Sequence, residues 1–370
     1  MPVSPCSGLW RCCRLAVPRR IVHYDFADLY YSSFFVSGFL ANAGALKYRF
    51  EFSKELPPEL AFVFENPMFL RRYLLFQAQL DAETFYFCID TEDPTGVVSS
   101  GDRGRPSLLD VTKYCFKVNY SRRRVDSDPA LAPHASKILP AAPFFPVATA
   151  AMRCRVPRLT PYPPALWTHR DVLDRVKASV NTPTPRQLLA LRARPKTHDV
   201  FFVSSYYSGD RAAATMDFRY EIMRALRAES GIHSICGFAR DGLPRRYADL
   251  EVPKLPFARY LRHLAAARVG VYVRGLHECV SFKFSELLAL GLPIVGQRLA
   301  NDVDAVLRNG RLMDQLSFET PGEIVARIGE LLERPEERAE LAAENRSLFD
   351  SYLNPKAVTA RLLLELGFSD

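Results

Sequence analysis

Two glutamates with the types and spacing for ligand chemistry stand in the stretch "HECVSFKFSELLALGLPIVGQ" (277–297). Glu278 and Glu286 are eight positions apart, and the apolar spacing behind them predicts a helix from about Phe282 to Gly291. A predicted strand, "VGVYVRG", comes directly before the stretch, so the helix begins beyond the carboxyl end of that strand. A helix start there presents unpaired N–H groups and a partial positive charge, which predicts a phosphate or pyrophosphate site.

Polar side chains at the start of this helix suit the same ligand. Lys283 adds a full positive charge, and Ser281 can cap the helix or donate to a ligand oxygen. Lys283 and Glu286 are three positions apart and therefore share one face. A carboxylate suits vicinal hydroxyls better than phosphate, so Glu286 predicts a ribose contact and Glu278 a second set of hydroxyls. The alternative is an ordinary amphipathic helix with solvated charges.

The pattern resembles the E-x7-E region of retaining GT-B glycosyltransferases, through Glu278, Glu286 and the G-x-P step at Gly291 and Pro293. The segment "SFKF" is also similar to exostosin-like transferases. The resemblance implies that Glu286 holds the nucleotide ribose, that Glu278 lies near the donor sugar and acts in catalysis, and that the intervening backbone meets the phosphates. The implied binding residues in that segment are Cys279, Ser281, Phe282 and Lys283.

The resemblance extends from Asp199 to the end of the chain, with one departure: "CVSFKFS" replaces a glycine-rich centre. The family's first strand in this domain leads to a glycine and then to basic residues, and "VSSYYSGDR" offers Gly209 and Arg211 for that role. Arg211 is either a phosphate clamp at a helix start or a solvated first-turn residue. A cation there is unfavourable unless an anion is present, which favours the clamp.

Acidic residues follow a strand in the first half of the chain. In "CIDTEDPTG" (88–96), Asp90 is a candidate general base for an acceptor hydroxyl. Together with Glu92 and Asp93 it could instead hold Mg²⁺ or Mn²⁺, or the segment could be a simple turn. His23, at the end of the first predicted strand, is either a catalytic residue facing a cleft or a core histidine.

Strands separated by helices predict an α/β protein of two Rossmann-like domains facing a cleft, the GT-B arrangement that the resemblance implies. In the first half, strands are predicted at 19–26, 46–53, 59–66, 84–90, 114–121 and 137–147, and helices at 27–44 and 67–80. We expect five regions in chain order: a disordered basic leader at 1–20, an acceptor domain at 21–150, a Pro/Arg-rich linker at 151–198, a nucleotide-sugar domain at 199–350, and a C-terminal helix at 351–370 that packs back toward the first domain.

Composition limits the remaining function classes. The 370 residues carry a net charge of +8 and eight scattered cysteines without zinc spacing, so we expect reduced thiols and an anionic ligand. No apolar run is long enough to span a membrane. The arginines are spread without a readable nucleic-acid-binding motif, so nucleic-acid binding is the rival that we do not favour.

The sequence therefore predicts a glycosyltransferase that moves a sugar from a nucleotide-sugar donor to a glycan or other hydroxyl acceptor. We expect it to be retaining and metal-independent, with no cofactor and no nucleic-acid partner. A metal-dependent enzyme using Asp90, Glu92 and Asp93 is the alternative. We expect a cytoplasmic location and leave peripheral membrane contact open.

Overall fold

The computed structural model describes residues 19–25, 29–53, 55–65, 72–92, 107–149, 173, 176–177, 180–240, 242–302, 307 and 310–369. Most of the predicted leader, much of the predicted linker, and Asp93 lie outside these residues. Two β-sheets organise the described chain, a six-stranded sheet from its first half and a five-stranded sheet from its second half.

The secondary structure alternates between strands and helices. The strands are β1 (Arg20–Tyr24), β2 (Arg49–Ser53), β3 (Tyr73–Leu80), β4 (Glu83–Asp90), β5 (Thr112–Lys117), β6 (Ile138–Pro140), β7 (His198–Ser204), β8 (Ser234–Ala239), β9 (Glu251–Val252), β10 (Ala267–Tyr272) and β11 (Ile294–Gly296). The α-helices are α1 (Leu29–Asn42), α2 (Leu108–Val111), α3 (Arg122–Ser127), α4 (Pro185–Ala190), α5 (Asp210–Ala228), α6 (Phe257–Ala265), α7 (Phe282–Leu290), α8 (Gly310–Gln315), α9 (Pro321–Glu333), α10 (Pro335–Leu348) and α11 (Pro355–Glu365). Short 3₁₀ turns cover Pro58–Glu65, Ala132–His134, Leu191–Ala193, Arg245–Leu250 and Leu276–Glu278, and a π-turn covers Phe349–Leu353.

The first sheet is mixed rather than parallel throughout. Its order is β2-β1-β3-β4-β5-β6, and β3 runs antiparallel to both of its neighbours. Over its described part the helix predicted at 67–80 is wrong, because 73–80 form β3, whose apolar side chains are mostly buried on both faces of the sheet; residues 67–71 lie outside the described residues. The strand predicted at 59–66 is also wrong, because Pro58–Glu65 forms a 3₁₀ turn.

The second sheet is parallel throughout, with order β11-β10-β7-β8-β9. Counted along the chain, its strands stand in the order 5-4-1-2-3, so the connections reverse direction between β7 and β10. In such open sheets a ligand crevice forms at this switch point, beyond the carboxyl ends of the strands. The α/β class with a Rossmann-like second half is therefore confirmed.

Helix α7 packs closely on the second sheet because small residues allow it. Gly270 of β10 stands under Leu287 of α7, where a Cβ atom would come within 2.4 Å of the leucine Cδ2 atom. This close approach brings α7 against β10. Within the sheet, a Cβ atom on Gly296 of β11 would lie 2.3 Å from the Tyr272 carbonyl oxygen of β10, so a glycine is needed between these two strands.

The C-terminal helix α11 lies against α1 of the first half. The side-chain Nδ2 atom of Asn42 donates to the Lys356 carbonyl oxygen (2.9 Å) and to the Thr359 hydroxyl (2.8 Å). A Cβ atom on Gly38 would overlap the Pro355 carbonyl oxygen at 2.1 Å, so the two helices touch at their backbones. A single apolar core runs through residues of both halves. The predicted domain limits themselves stay a prediction.

Two expectations concern the chemistry of the chain as a whole. Among the described residues, Cys88, Cys115, Cys236 and Cys279 are buried thiols. No helix among the residues of known placement is both long and apolar enough to cross a lipid bilayer.

Candidate functional site

A cavity of about 590 Å³ lies beyond the carboxyl end of β7, which is one of the two strands at the switch point of the second sheet. Its walls come from the end of β7, helix α5, the loop before α6, helix α6, the start of α7, and α1 of the first half. The lining residues are Tyr30, Asn181, Val203, Ser204, Ser205, Tyr207, Arg219, Ala239, Lys254, Leu255, Pro256, Phe257, Tyr260, Ser281, Phe282, Lys283 and Glu286.

Helix α7 forms the floor of the cavity and has the limits that the sequence predicts. Ser281 is its N-cap in an extended conformation, and Gly291 ends it in the left-handed conformation with φ 65°. A left-handed C-cap favours glycine, because other residues are strained there. The Ser281 Oγ atom is buried and makes no hydrogen bond within the described chain. The first turn of the helix therefore faces the cavity without a side-chain cap.

Lys283 is held in the cavity wall by neutral groups. Its Nζ atom donates to the Val203 carbonyl oxygen (2.6 Å) and to the Tyr260 hydroxyl (2.7 Å), and lies 4.5 Å from the centroid of the Tyr260 ring. Burial lowers the pKa of the ammonium to about 8, an effect that nearby Glu286 opposes. Within the placed residues, no carboxylate oxygen is close enough to Nζ to form an ion pair.

Glu286, one turn further along α7, is a buried carboxylate with an unused oxygen. Its residue is only 3% exposed, and its Oε2 atom accepts no hydrogen bond from the described residues. Burial raises the pKa of this carboxyl group, while Lys283 and a hydrogen bond from Tyr260 act in the opposite direction. A buried acceptor without a donor is costly, and among the described residues the Oε2 atom stays open to a further donor.

Arg219 on α5 supplies a second buried positive charge. Its guanidinium donates to the Ser204 hydroxyl (2.9 Å) and to the Arg274 carbonyl oxygen (3.1 Å), and the residue is 5% exposed. Burial lowers its pKa, although an arginine side chain keeps its charge in proteins. No acidic side chain in the described ranges pairs with it. Lys283 and Arg219 thus lack a carboxylate partner among the described residues, and the exposed Lys254 is a third cation of the cavity lining.

The first half of the chain closes one side of the cavity with aromatic rings. Tyr30 of α1 lines the cavity and meets the Phe282 ring edge-on at a centroid distance of 5.1 Å. Phe282 also contacts Phe144 at 4.8 Å and Tyr31 at 5.9 Å. The cavity is therefore a cleft between the two halves, with its charged groups on the second half.

The loop before α7 is strained and bridges the two halves. His277 and Glu278 both have positive φ, 56° and 62°, a conformation that costs free energy in residues other than glycine. Glu278 is exposed, lies outside the cavity lining, and pairs with Arg124 of α3 at 3.1 Å. The Val280 amide donates to the Asn119 side chain of the first half at 2.9 Å. The structure thus places Glu278 at the interface between the halves, apart from the cavity.

Three other predicted binding residues do not line the cavity. The Cys279 thiol is buried against Gly275, where a Cβ atom would lie 2.2 Å from its Sγ atom. Gly209 and Arg211 stand at the exposed start of α5, and Gly209 has φ 103°. Arg219, two turns further along the same helix, provides the charge that the sequence interpretation gave to Arg211.

The candidate catalytic residues of the first half are enclosed in its core. Asp90 is 0% exposed and forms an ion pair with Lys117, also 0% exposed, at 2.7 Å. His23 is equally buried, with Nδ1 3.2 Å from the Leu75 carbonyl oxygen and its ring stacked on Phe76 at 4.6 Å. In this structure neither side chain reaches the cavity, because both belong to strands whose side chains face the packed core.

The metal alternative depends on acids that the structure does not bring together. The Asp90 carboxylate accepts hydrogen bonds from Lys117 and from the Glu92 amide, and Arg72 lies 3.4 Å from the Glu92 carboxylate. No cluster of three His, Cys, Asp or Glu side chains suited to a metal occurs within the described ranges. Asp93 lies outside those ranges, so the alternative stays without a described ligand set.

Arg219 and Tyr260 are among the cavity residues that the sequence interpretation missed. Arg219 follows Met216 by three positions and precedes Met223 by four, so it lies on the buried face of α5. A charged residue on an apolar helix face was a usable signal for a buried functional group. Tyr260 gave no such signal, because an aromatic residue on the inner face of an amphipathic helix usually indicates core packing.

Comparisons with known proteins support a sugar-transferring enzyme. Residues 219–363, which include Arg219, Tyr260, Lys283 and Glu286, match the protein family described as glycosyl transferase-like. No curated protein matches the chain. The chain therefore carries a glycosyltransferase-like region, and the predicted glycosyltransferase resemblance and enzyme class are confirmed at that level.

Two solved structures are similar in part. One is the DNA-modifying β-glucosyltransferase solved with and without its substrate uridine diphosphoglucose, with 12% identity, TM-score 0.36, and coverage of 70% of this chain and 75% of that one. The other is Phytolacca americana UGT2 complexed with UDP-2-fluoro-glucose and pterostilbene, with 12% identity, TM-score 0.31, and coverage of 70% and 54%. At these scores, neither contributes to the arguments below.

Proposed function

We propose that this protein, whose second half is glycosyltransferase-like, transfers a sugar from a nucleotide-sugar donor to an acceptor hydroxyl, and that the cavity at the switch point binds the donor. One observation carries the proposal. Lys283, which is half-buried, and Arg219, which is buried, have no carboxylate partner among the described residues, and they lie in the same cavity as Glu286, a buried carboxylate with an oxygen that those residues leave unused. A ligand with both negative charge and hydroxyl groups satisfies all three.

The two cations and the start of α7 suit the diphosphate of the donor. Lys283 and Ser281 lie in the first turn of a helix whose end carries a partial positive charge. Arg219 adds a planar guanidinium, which can donate to two phosphate oxygens at once. When the sugar is transferred, the nucleoside diphosphate departs with an additional negative charge. Fixed cations in a buried site stabilise that charge, and we propose that they do so without a metal ion.

Glu286 suits the ribose of the nucleotide rather than its phosphates. In its ionised form the carboxylate accepts hydrogen bonds from two neighbouring hydroxyls, and ribose offers such a pair. A donor hydroxyl would satisfy the Oε2 atom that has no partner in the described chain. Hydrogen bonds to the charged form lower the pKa that burial raises. The nucleotide therefore helps to keep Glu286 ionised.

The first half of the chain suits the acceptor. Tyr30 and the aromatic group around Phe282 form the opposite wall of the cleft, where an acceptor hydroxyl could approach the donor sugar. We propose that Glu278, in the strained loop beside this wall, contacts the sugar after release from Arg124. Retention of configuration, a cytoplasmic location and peripheral membrane contact rest on the sequence alone and stay predictions.

Calorimetric titration with UDP, GDP, ADP and their common sugar conjugates, with and without EDTA, tests the proposal. We expect one nucleotide series to bind in EDTA, and Glu286→Ala and Lys283→Ala to weaken its binding. Arg245→Ala, an exposed cation away from the cavity lining, is the matched control and should bind as the wild type does. Binding that requires a metal ion and survives both cavity substitutions would contradict the proposal, as would binding of no nucleotide.

A further inference from the structure

We propose that Tyr260 is a positioning residue of the donor site, whose hydroxyl holds the Lys283 ammonium in the cavity wall for the nucleotide. The proposal rests on the proposed function of the cavity. It adds to the charged residues of the donor site an uncharged residue that acts through them. Tyr260 belongs to α6, a different element from the helix that carries both charged residues. Its ring lines the cavity beside them.

The Tyr260 hydroxyl contacts Lys283 and belongs to the same cavity lining as Glu286. Lys283 Nζ donates to the hydroxyl oxygen at 2.7 Å and lies 4.5 Å from the centroid of the Tyr260 ring. Burial raises the pKa of Tyr260 well above its ordinary value. The phenol therefore stays neutral and accepts a hydrogen bond from the ammonium.

This arrangement explains why the two charges remain separate. Lys283 and Glu286 stand three positions apart on one helix face, where a direct ion pair is ordinary. The Tyr260 hydroxyl and the Val203 carbonyl oxygen instead take two of the three hydrogens of the ammonium. A third hydrogen of Lys283 and the Oε2 atom of Glu286 are left for a ligand. Tyr260 thus prevents a self-neutralising pair and keeps both groups available.

The charge state of Lys283 gives a readout that a purely structural role would not change. The titratable groups that line the cavity with it are Tyr30, Tyr207, Arg219, Lys254, Tyr260 and Glu286. Removing the Tyr260 hydroxyl takes an acceptor from the ammonium. That loss disfavours the charged lysine, so the pH above which nucleotide affinity falls should move downward.

Tyr260→Phe is the direct test, since it retains the ring beneath the ammonium and removes only the hydroxyl. Affinity for the nucleoside diphosphate that the wild type binds, UDP, GDP or ADP, is measured by calorimetry between about pH 7 and pH 9, where the terminal phosphate is ionised. We expect about tenfold weaker binding, as for one lost charge-assisted hydrogen bond, and a lower pH midpoint. Tyr247→Phe is the matched control, because its buried hydroxyl donates to Asp217 (2.6 Å) outside the cavity lining.

A Tyr260→Phe protein that binds within about twofold of the wild type, with an unchanged pH midpoint, would overturn this inference and leave the proposed function standing. A wild-type protein that binds no nucleotide would instead refute the proposed function. Urea unfolding shows whether the variant is folded. If the variant is unfolded, ¹³Cζ-tyrosine NMR of the wild type takes the place of the calorimetric test. One tyrosine signal should shift as Lys283 titrates, and Lys283→Met should abolish that shift. No such tyrosine signal would overturn the inference.

Discussion

Two sites of the molecule treat buried charge in opposite ways. At the end of β4, Asp90 and Lys117 are both completely buried and are paired at 2.7 Å. Beside the end of β7, Lys283 and Arg219 are held by neutral oxygens, and Glu286 keeps an oxygen to which the described residues offer no donor. The first site contains its own counter-ion, whereas the described residues of the second site leave positions open for a ligand.

This contrast separates structural charges from functional ones. A buried pair such as Asp90–Lys117 compensates part of its own desolvation and needs nothing further. Buried charges without a counter-ion are unfavourable for folding, and proteins retain them where a ligand will use them. The position of an acidic residue after a strand, which made Asp90 a candidate, does not distinguish these two cases. The partners of the side chain do.

The largest expected effect is on stability at the complete pair. Asp90→Asn leaves the Lys117 charge buried without a counter-ion, so we expect the free energy of unfolding to fall by about 3 kcal/mol or more. Glu286→Gln removes a carboxylate that burial already disfavours, so its stability should stay within about 1 kcal/mol of the wild type or rise. Urea unfolding of both variants measures this difference.

Lys113→Ala is the control for the first variant, since it breaks an exposed ion pair with Glu83, which should contribute less than about 1 kcal/mol. Equal stability losses for Asp90→Asn and Glu286→Gln would contradict the distinction between the two halves.

The next effect is on nucleotide binding and separates two arginines of the same helix. Arg219→Met removes the buried cation of the cavity, so we expect the affinity for a nucleoside diphosphate to fall about 100-fold, with the fold retained. Arg211→Met removes the exposed cation at the start of α5 and should change the affinity by less than about twofold. Calorimetry on both variants shows which of the two arginines contributes to nucleotide binding. A larger loss for Arg211→Met would restore the sequence-based assignment.

A smaller effect concerns pH. Burial lowers the pKa of Lys283 to about 8, so the free protein carries this charge below about pH 8 and loses it above. A bound diphosphate favours the ammonium and raises its pKa, so binding above that pH takes up a proton. We expect a constant dissociation constant below about pH 8 and up to about a tenfold increase per pH unit above it. Lys283→Met should show no such rise in the dissociation constant. A rise that persists in this variant would come from the titration of another group.

The smallest effect is expected at Glu278. Its ion pair with Arg124 is exposed on both sides, so Glu278→Gln should change the free energy of unfolding by less than about 1 kcal/mol. Because its side chain lies outside the cavity lining, nucleoside diphosphate affinity should also stay within about twofold. Chemical denaturation and calorimetry on one preparation measure both. A tenfold loss of affinity would move Glu278 into the donor site.

The sequence was informative where local signals and tertiary packing agree. A glycine stop, a following proline and an apolar face set the limits of α7 correctly, and the strand before it placed its start at a crevice. Residues 67–80 were misassigned because a continuous apolar run fits a buried strand as well as a helix, and only its antiparallel neighbours decide for the strand. Local spacing alone did not carry that information.

The candidate site also contains residues that local spacing predicts and residues that only tertiary packing brings together. Ser281, Phe282, Lys283 and Glu286 lie on one helix, so their spacing was enough to bring them together. Arg219 and Tyr260 come from two other helices, and their convergence depends on how α5 and α6 pack on the sheet. Asp90 carried a valid chemical signal, but its partner Lys117 is 27 residues away on the neighbouring strand. Only the register of β4 and β5 reveals that pairing.

Hydrogen exchange with and without a saturating nucleoside diphosphate tests the central claim most directly, because it reports on both halves in one experiment. We predict ligand-dependent protection in peptides covering 203–207, 254–260 and 281–286, which surround the unpaired charges. Peptides covering 86–92 and 115–120, around the Asp90–Lys117 pair, should exchange at unchanged rates. Protection concentrated in the second group, with none around Lys283, would contradict the account.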